Sequence, residues 1–246
     1  MHTRNQPTER GTIYEVEGSI AFVPSELRTG ALAKPTETLE TALSAAVAAI
    51  AANSTVYQPE AVPEANAVAI SNLRTAWRAA MSAYRAEART VAEADARARQ
   101  PGPQTDAAYE SRFVQSLAAM DVPKRIGAVA NLSYEQSSAL VRHGDLDWLE
   151  LPERVIADVM ERHMLLGYAI RTGAQADYSA KPSFDNPLPV GADTEAAMAA
   201  VKPQLAAFRV QADRVQLAAG VLRDVVRLAA SATGKTVDAT WAEFAA

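Results

Sequence analysis

Cysteine is absent from this 246-residue chain. Disulfide staples, thiolate metal sites and a cysteine nucleophile are excluded with it. Aromatic residues are scarce at 6%, while apolar residues as a whole reach 49%, much of it alanine. That balance suits close helix packing and argues against a β-sandwich, which draws on Val, Ile, Thr and aromatics. No unbroken apolar run approaches the ~20 residues of a membrane span. The longest, residues 45–52, is short and alanine-rich. The opening residues lack the apolar core of a signal peptide. Lysine-rich runs and a basic tail are missing, and the net charge is −5, so the footprint of a nucleic-acid binder is weak. The expectation is a soluble protein, cytoplasmic or incorporated in a viral particle, with neither membrane nor nucleic acid as partner.

The chemical signatures are missing too. There is no G-x-x-x-x-G-K-[ST], no G-x-G-x-x-G, no His-Glu-x-x-His and no Gly-x-Ser-x-Gly. Without a Glu-x-x-His pair, a ferritin-like di-metal bundle has no support. Gly234-Lys235-Thr236 resembles the end of a phosphate loop, but no strand or upstream glycine precedes it. It reads as a helix stop followed by a new N-cap. Of the three histidines, His2 sits in a polar arm and His143 precedes Gly144, where a helix C-cap is expected. His163 falls on an apolar helix face, as a buried ring bonded to a neighbouring helix would. No cofactor, metal or catalytic residue is expected.

What the sequence does contain is helical periodicity. Met198, Val201, Leu205, Phe208, Ala212, Val215, Ala219, Leu222, Val226 and Ala229 follow at alternating steps of three and four. This is the stripe of one long helix laid along another. A second row, Leu217, Val221, Val225 and Leu228, widens the apolar arc and predicts a central second half. Pro203 lies off the stripe, where it should kink or restart the helix. A second long helix is predicted over residues 64–99, with Ile70, Leu73, Trp77, Met81, Tyr84, Ala88 and Val91 on one face. Its arginines, Arg74, Arg78, Arg85, Arg89, Arg97 and Arg99, are interleaved with Glu87, Glu93 and Asp95 and read as a solvated face laced with ion pairs.

Shorter helices fill the rest. Thr36 caps a first helix bearing Leu39, Leu43, Val47 and Ile50. Pro101-Gly102-Pro103 is the clearest break. Asp106, Asp121 with Pro123, and Ser133 with Gln136 in capping-box spacing open three more. A helix from Pro152 to Thr172 carries Val155, Ile156, Val159, Met160, His163, Leu166 and Ile170. Thr236 caps a last one with Trp241 and Phe244.

Two segments depart from this pattern. Residues 12–17 and 20–23 flank Gly18-Ser19 as a β-hairpin would, after an arm of eleven polar residues. Residues 174–192 hold Pro182, Pro187 and Pro189, which exclude a helix, together with Phe184, Leu188 and Val190. An extended strap lying in a groove, of this subunit or of a neighbour, would account for the apolar side chains.

The reading is thus a mainly α protein: an elongated helical bundle with long coiled-coil-like helices, a small N-terminal β-hairpin and an extended Pro-rich strap. The arm and hairpin take residues 1–35 and the bundle 36–246, with a possible sub-boundary at 100–105. The predicted function is non-enzymatic and structural, in a homo-oligomer or a complex with other structural proteins. By architecture, a viral neck or connector component fits. The candidate partner contacts are Ile13, Tyr14, Val16, Ile20 and Phe22 in the hairpin and Phe184, Leu188 and Val190 in the strap. The alternative is a helical enzyme or small-ligand binder with a pocket near His163, using dispersed residues such as Tyr134, Tyr168 and Arg171.

Overall fold

Two residues with positive φ shape the first turn. Glu17 (φ 49) and Gly18 (φ 77) join strand β2 (Gly11–Val16) to strand β3 (Ser19–Pro24). The two-residue turn is therefore Glu17-Gly18, one position earlier than the sequence suggested, because a primed hairpin turn needs positive φ at both places. The eleven-residue polar arm is also corrected. Thr3–Thr8 forms strand β1, and the sheet is three-stranded and antiparallel in the order β1-β2-β3. Its pattern carries no apolar face, so it gave no strand signal; it is held by pairing with β2 and by Asn5, whose amide donates to Ser44 at 3.0 Å. Gly11 is required where it stands. A Cβ there would lie 2.2 Å from the Val23 carbonyl oxygen across the sheet.

This computed structural model describes residues 2–184 and 187–246; Asp185 and Asn186, within the expected strap, lie outside them. Helix makes up 71% of the structure. Among the described residues there are nine α-helices: α1 (Ala33–Val56), α2 (Val62–Arg99), α3 (Ala107–Ala118), α4 (Val122–Val129), α5 (Tyr134–Arg142), α6 (Glu153–Arg171), α7 (Ala174–Asp177), α8 (Thr194–Thr233) and α9 (Val237–Ala245). Caps set several boundaries. Asp106, Asp121, Ser133 and Thr236 each accept a bond from an amide in the first turn of α3, α4, α5 and α9, and Ser133 with Gln136 completes a capping box. Thr36 is not the cap of α1. It sits inside that helix, fully buried, its hydroxyl 2.7 Å from that of Tyr84.

The chain divides into two units. The first comprises residues up to Val91 together with Val210–Ala246. Its core is one continuous cluster in which Tyr14, Val16, Ala21 and Val23 of the sheet meet Leu39, Leu43 and Ile50 of α1, Leu73 and Trp77 of α2, and Val221, Val225 and Leu228 of α8. Trp77 is its centre. The indole is fully buried, donates to the Leu222 carbonyl at 2.9 Å, and meets Trp241 and Phe244 of α9 edge-on, each at 5.5 Å. Arg78 holds α9 from outside by donating to the carbonyls of Glu243 and Phe244. Although no unbroken apolar run in it is long, Gly30–Val56, with 27 residues and a mean hydropathy of 1.3, is long and apolar enough to cross a membrane. One face of that helix, with Leu39, Leu43, Val47 and Ile50, is buried in the core.

The second unit is Ala92–Arg209. It has two smaller clusters. One gathers Leu117, Val129, Leu132, Leu140, Leu149 and Val159 from α3 to α6; the other gathers Met164, Leu166 and Ala169 of α6 with Met198, Val201 and Leu205 of α8. The helix α8 runs unbroken across Pro203. The predicted ladder is buried at its two ends, whereas Phe208, Ala212 and Val215 are half-buried and Ala219 is exposed. Each end of α8 packs within its own unit.

Candidate functional site

The second unit is tied by buried polar groups rather than by aromatics. Arg125 of α4, almost wholly buried, donates to the carbonyls of Leu117, Met120 and Leu149, so one guanidinium satisfies the C-terminal end of α3 and the loop before α6. Glu110 of α3 is likewise buried, and both its carboxylate oxygens accept from Nη1 of Arg142, at 2.9 and 3.0 Å. The same arginine donates to the Gly102 carbonyl at 2.6 Å, while the Gly102 amide donates to Ser138 at 2.9 Å. These bonds fasten the Pro101-Gly102-Pro103 break onto α5. Sequence reasoning missed all of them: an arginine or glutamate in a short amphipathic helix carries no mark of burial.

His163 takes the place its apolar face predicted. It is fully buried, with Nδ1 3.0 Å from the Ser137 hydroxyl and the ring stacked on Tyr134 at 5.2 Å. Burial lowers its pKa from the ordinary imidazole value, against the opposing pull of the Gln100 and Arg99 carbonyls. Those carbonyls lie near the ring without reaching good hydrogen-bond geometry at Nε2. The ring has no exposed edge in this structure. The neighbouring Gly167 shows why the packing is close: a Cβ there would lie 2.9 Å from both the Tyr134 ring and Nη1 of Arg171. His143 ends α5 as its C-cap and meets Trp148 edge-on at 5.4 Å. His2 lies 3.6 Å from Glu15.

The hairpin candidates separate by strand face. Tyr14 and Val16 are buried in their own unit's core and are not free for a partner. Burial and the Glu40 carboxylate raise the pKa of Tyr14. Ile13, Ile20 and Phe22 lie on the opposite face; Ile13 and Phe22 pair across the strands, half-buried, and Ile20 is 52% exposed. The strap candidates are all uncovered: Phe184 is fully exposed, Val190 97% and Leu188 85%.

The geometry of that segment differs from the expected strap. Ser179 and Ala192 form an antiparallel bridge. The Ala180 amide donates to the Gly191 carbonyl at 3.0 Å and the Asp193 amide to the Tyr178 carbonyl at 2.8 Å. The segment is thus pinched at its base, and among the described residues no groove receives Phe184, Leu188 or Val190.

Two cavities in the second unit are large enough for a small molecule. One of about 530 Å³ lies among α4, α6 and α8, and its walls mix Asp158, Glu161 and Glu195 with Arg162 and Lys202. Much of that charge is already internally paired, Arg162 with Glu195 at 2.9 Å and Glu161 with Arg209 at 2.7 Å. The other, of about 480 Å³, is lined by the ends of α2 and α6 and by α8, with Ala98, Tyr168, Leu205 and Phe208 beside Arg97 and Arg171. His163 lines neither. No protein-family model, curated protein or solved structure matches this chain.

Proposed function

We propose that the protein is a non-enzymatic structural subunit that assembles with copies of itself or with other structural proteins. The observation that supports this most is the pinched loop with Phe184, Leu188 and Val190 in solvent. Each of these side chains gains about 1.5–3 kcal/mol on burial. Two backbone hydrogen bonds tie Ala180 to Gly191 and Tyr178 to Asp193, and the three uncovered apolar side chains suit a segment that seats in a groove on another molecule. The outer sheet face with Ile13, Ile20 and Phe22 is a second apolar contact of the same kind. A long-helix bundle with such appendages suits a ring or neck component of a viral particle, and cellular assemblies use the same devices.

The test is native mass spectrometry of the full chain and of a variant with Phe184→Ser, Leu188→Ser and Val190→Ser. The wild-type chain is expected to give a defined oligomer, alone or with the proteins it is produced beside. The triple variant should be monomeric with an unchanged melting temperature, because those residues contribute nothing to their own fold. An unchanged oligomer in the variant would overturn the role of the loop. A wild-type chain that is monomeric in both settings would overturn the assembly reading.

A further inference from the structure

The 480 Å³ cavity at the ends of α2 and α6 has a chemistry of its own. Its walls are chiefly apolar carbon, from Ala98, Tyr168, Leu205 and Phe208, and its charged groups are two guanidiniums, Arg97 and Arg171, with no carboxylate in the lining. The volume falls within the range of small-molecule sites, roughly 300–1,000 Å³. Among the described residues neither arginine has an ion pair, although Arg99, two positions from Arg97, is paired with Asp95 at 2.7 Å. Arg97 uses one donor, Nε, on the Glu93 carbonyl of its own helix. Arg171 is held close to α6 because Gly167 has no side chain: Nη1 occupies the space a Cβ would contest. A helical glycine is destabilising relative to alanine, and here its absence of bulk is what admits the guanidinium and the Tyr134 ring.

We propose that this cavity binds a small anionic amphiphile, a carboxylate with an unbranched or aromatic apolar body. The carboxylate takes fork-shaped hydrogen bonds from the guanidiniums, which match its planar geometry. The apolar body lies on Leu205, Phe208 and Ala98, where its burial supplies the affinity. A cation is disfavoured by the two arginines. Beyond the arginines the polar groups of the lining are the uncharged Gln100, Gln204 and Tyr168, so a polyanion such as a nucleotide would find no third cation there. Two guanidiniums lining one space with no carboxylate among its walls favour an anion there.

The experiment is calorimetric titration of the full chain with decanoate, with decanol as the uncharged analogue and vesicles of phosphatidylglycerol as the membrane arm. Saturable one-to-one binding of decanoate is expected, weakened about tenfold or more by Arg171→Gln and by Arg97→Gln and similarly weakened for decanol. Both arginines are exposed, so the variants should keep the helical circular dichroism of the parent. Absence of saturable decanoate binding at concentrations to about 1 mM, an affinity limit near −4 kcal/mol, would overturn the proposal. Equal binding of decanol, equal binding by the Arg97→Gln, Arg171→Gln double variant, or binding of vesicles without binding of monomeric decanoate would each do the same.

Discussion

The two units of this chain solve the same packing problem with different materials. In the unit formed by residues up to Val91 and from Val210, sheet and long helices share one apolar cluster around Trp77. In the unit Ala92–Arg209, short helices enclose two smaller clusters, and the gaps are closed by Arg125, by the Glu110–Arg142 pair and by the Ser137–His163 contact. A long helix presents a stripe of many residues at once. A helix of 8 to 12 residues, such as α3, α4 or α5, presents two or three and leaves termini exposed within the core. Those termini carry unsatisfied carbonyls and amides, and only polar side chains can complete them. The first unit therefore depends on volume and the second on hydrogen-bond completeness.

That difference can be broken most sharply at Trp77. Trp77→Ala removes the largest buried side chain and the donor to the Leu222 carbonyl, and should cost about 3–5 kcal/mol in chemical denaturation. Hydrogen exchange should rise in α1, in α9 and in the C-terminal end of α8 while α3 to α6 stay protected. An equal rise in α3 to α6 would show that the two units do not have separate stabilities. The polar counterpart is Arg125→Met, which keeps most of the volume and strips the donors from the Leu117, Met120 and Leu149 carbonyls. Its expected cost is roughly 2–4 kcal/mol, from carbonyls left buried and unpaired. Faster exchange confined to α3 and α4 would sharpen the comparison. A cost below about 0.5 kcal/mol, the range of an ordinary surface substitution, would end it.

The smallest effect expected is a pH slope at His163. Burial holds its folded-state pKa below the unfolded value of about 6.5. In the window between the two, the unfolded chain binds the extra proton, so stability rises with pH there and is lost as pH falls from about 6.5 towards the folded pKa. Melting curves from about pH 7 to pH 5.5 should show the wild type losing more stability than His163→Gln. Parallel slopes in the two proteins would assign the acid sensitivity elsewhere.

Much of this architecture was legible because helical signals are local. The caps at Asp106, Asp121, Ser133 and Thr236 and the stop at Gly234 act within four residues, and each stands where its spacing puts it. The apolar face of α6 placed His163 in the core for the same reason. The strand β1 was illegible, since a polar edge strand is defined by its partner and not by its own side chains. The pinch at Ser179 and Ala192 was illegible too, because a single bridge across a proline-rich loop leaves no periodicity.

Composition and period alone determined that this chain is mainly helical, that two of its helices are near 40 residues (38 in α2, 40 in α8), and where most helices begin and end. These follow from intrahelical hydrogen bonds and from the repeat of apolar side chains, which are properties of contiguous residues. Only the tertiary structure decided that the ladder of α8 is buried at its ends and thin in the middle, that Tyr14 and Val16 face inward while Ile20 faces out, and that Phe184, Leu188 and Val190 find no cover among the described residues. Burial is a relation between segments far apart in sequence, and a stripe of apolar residues states only that a partner is wanted, never which one arrives.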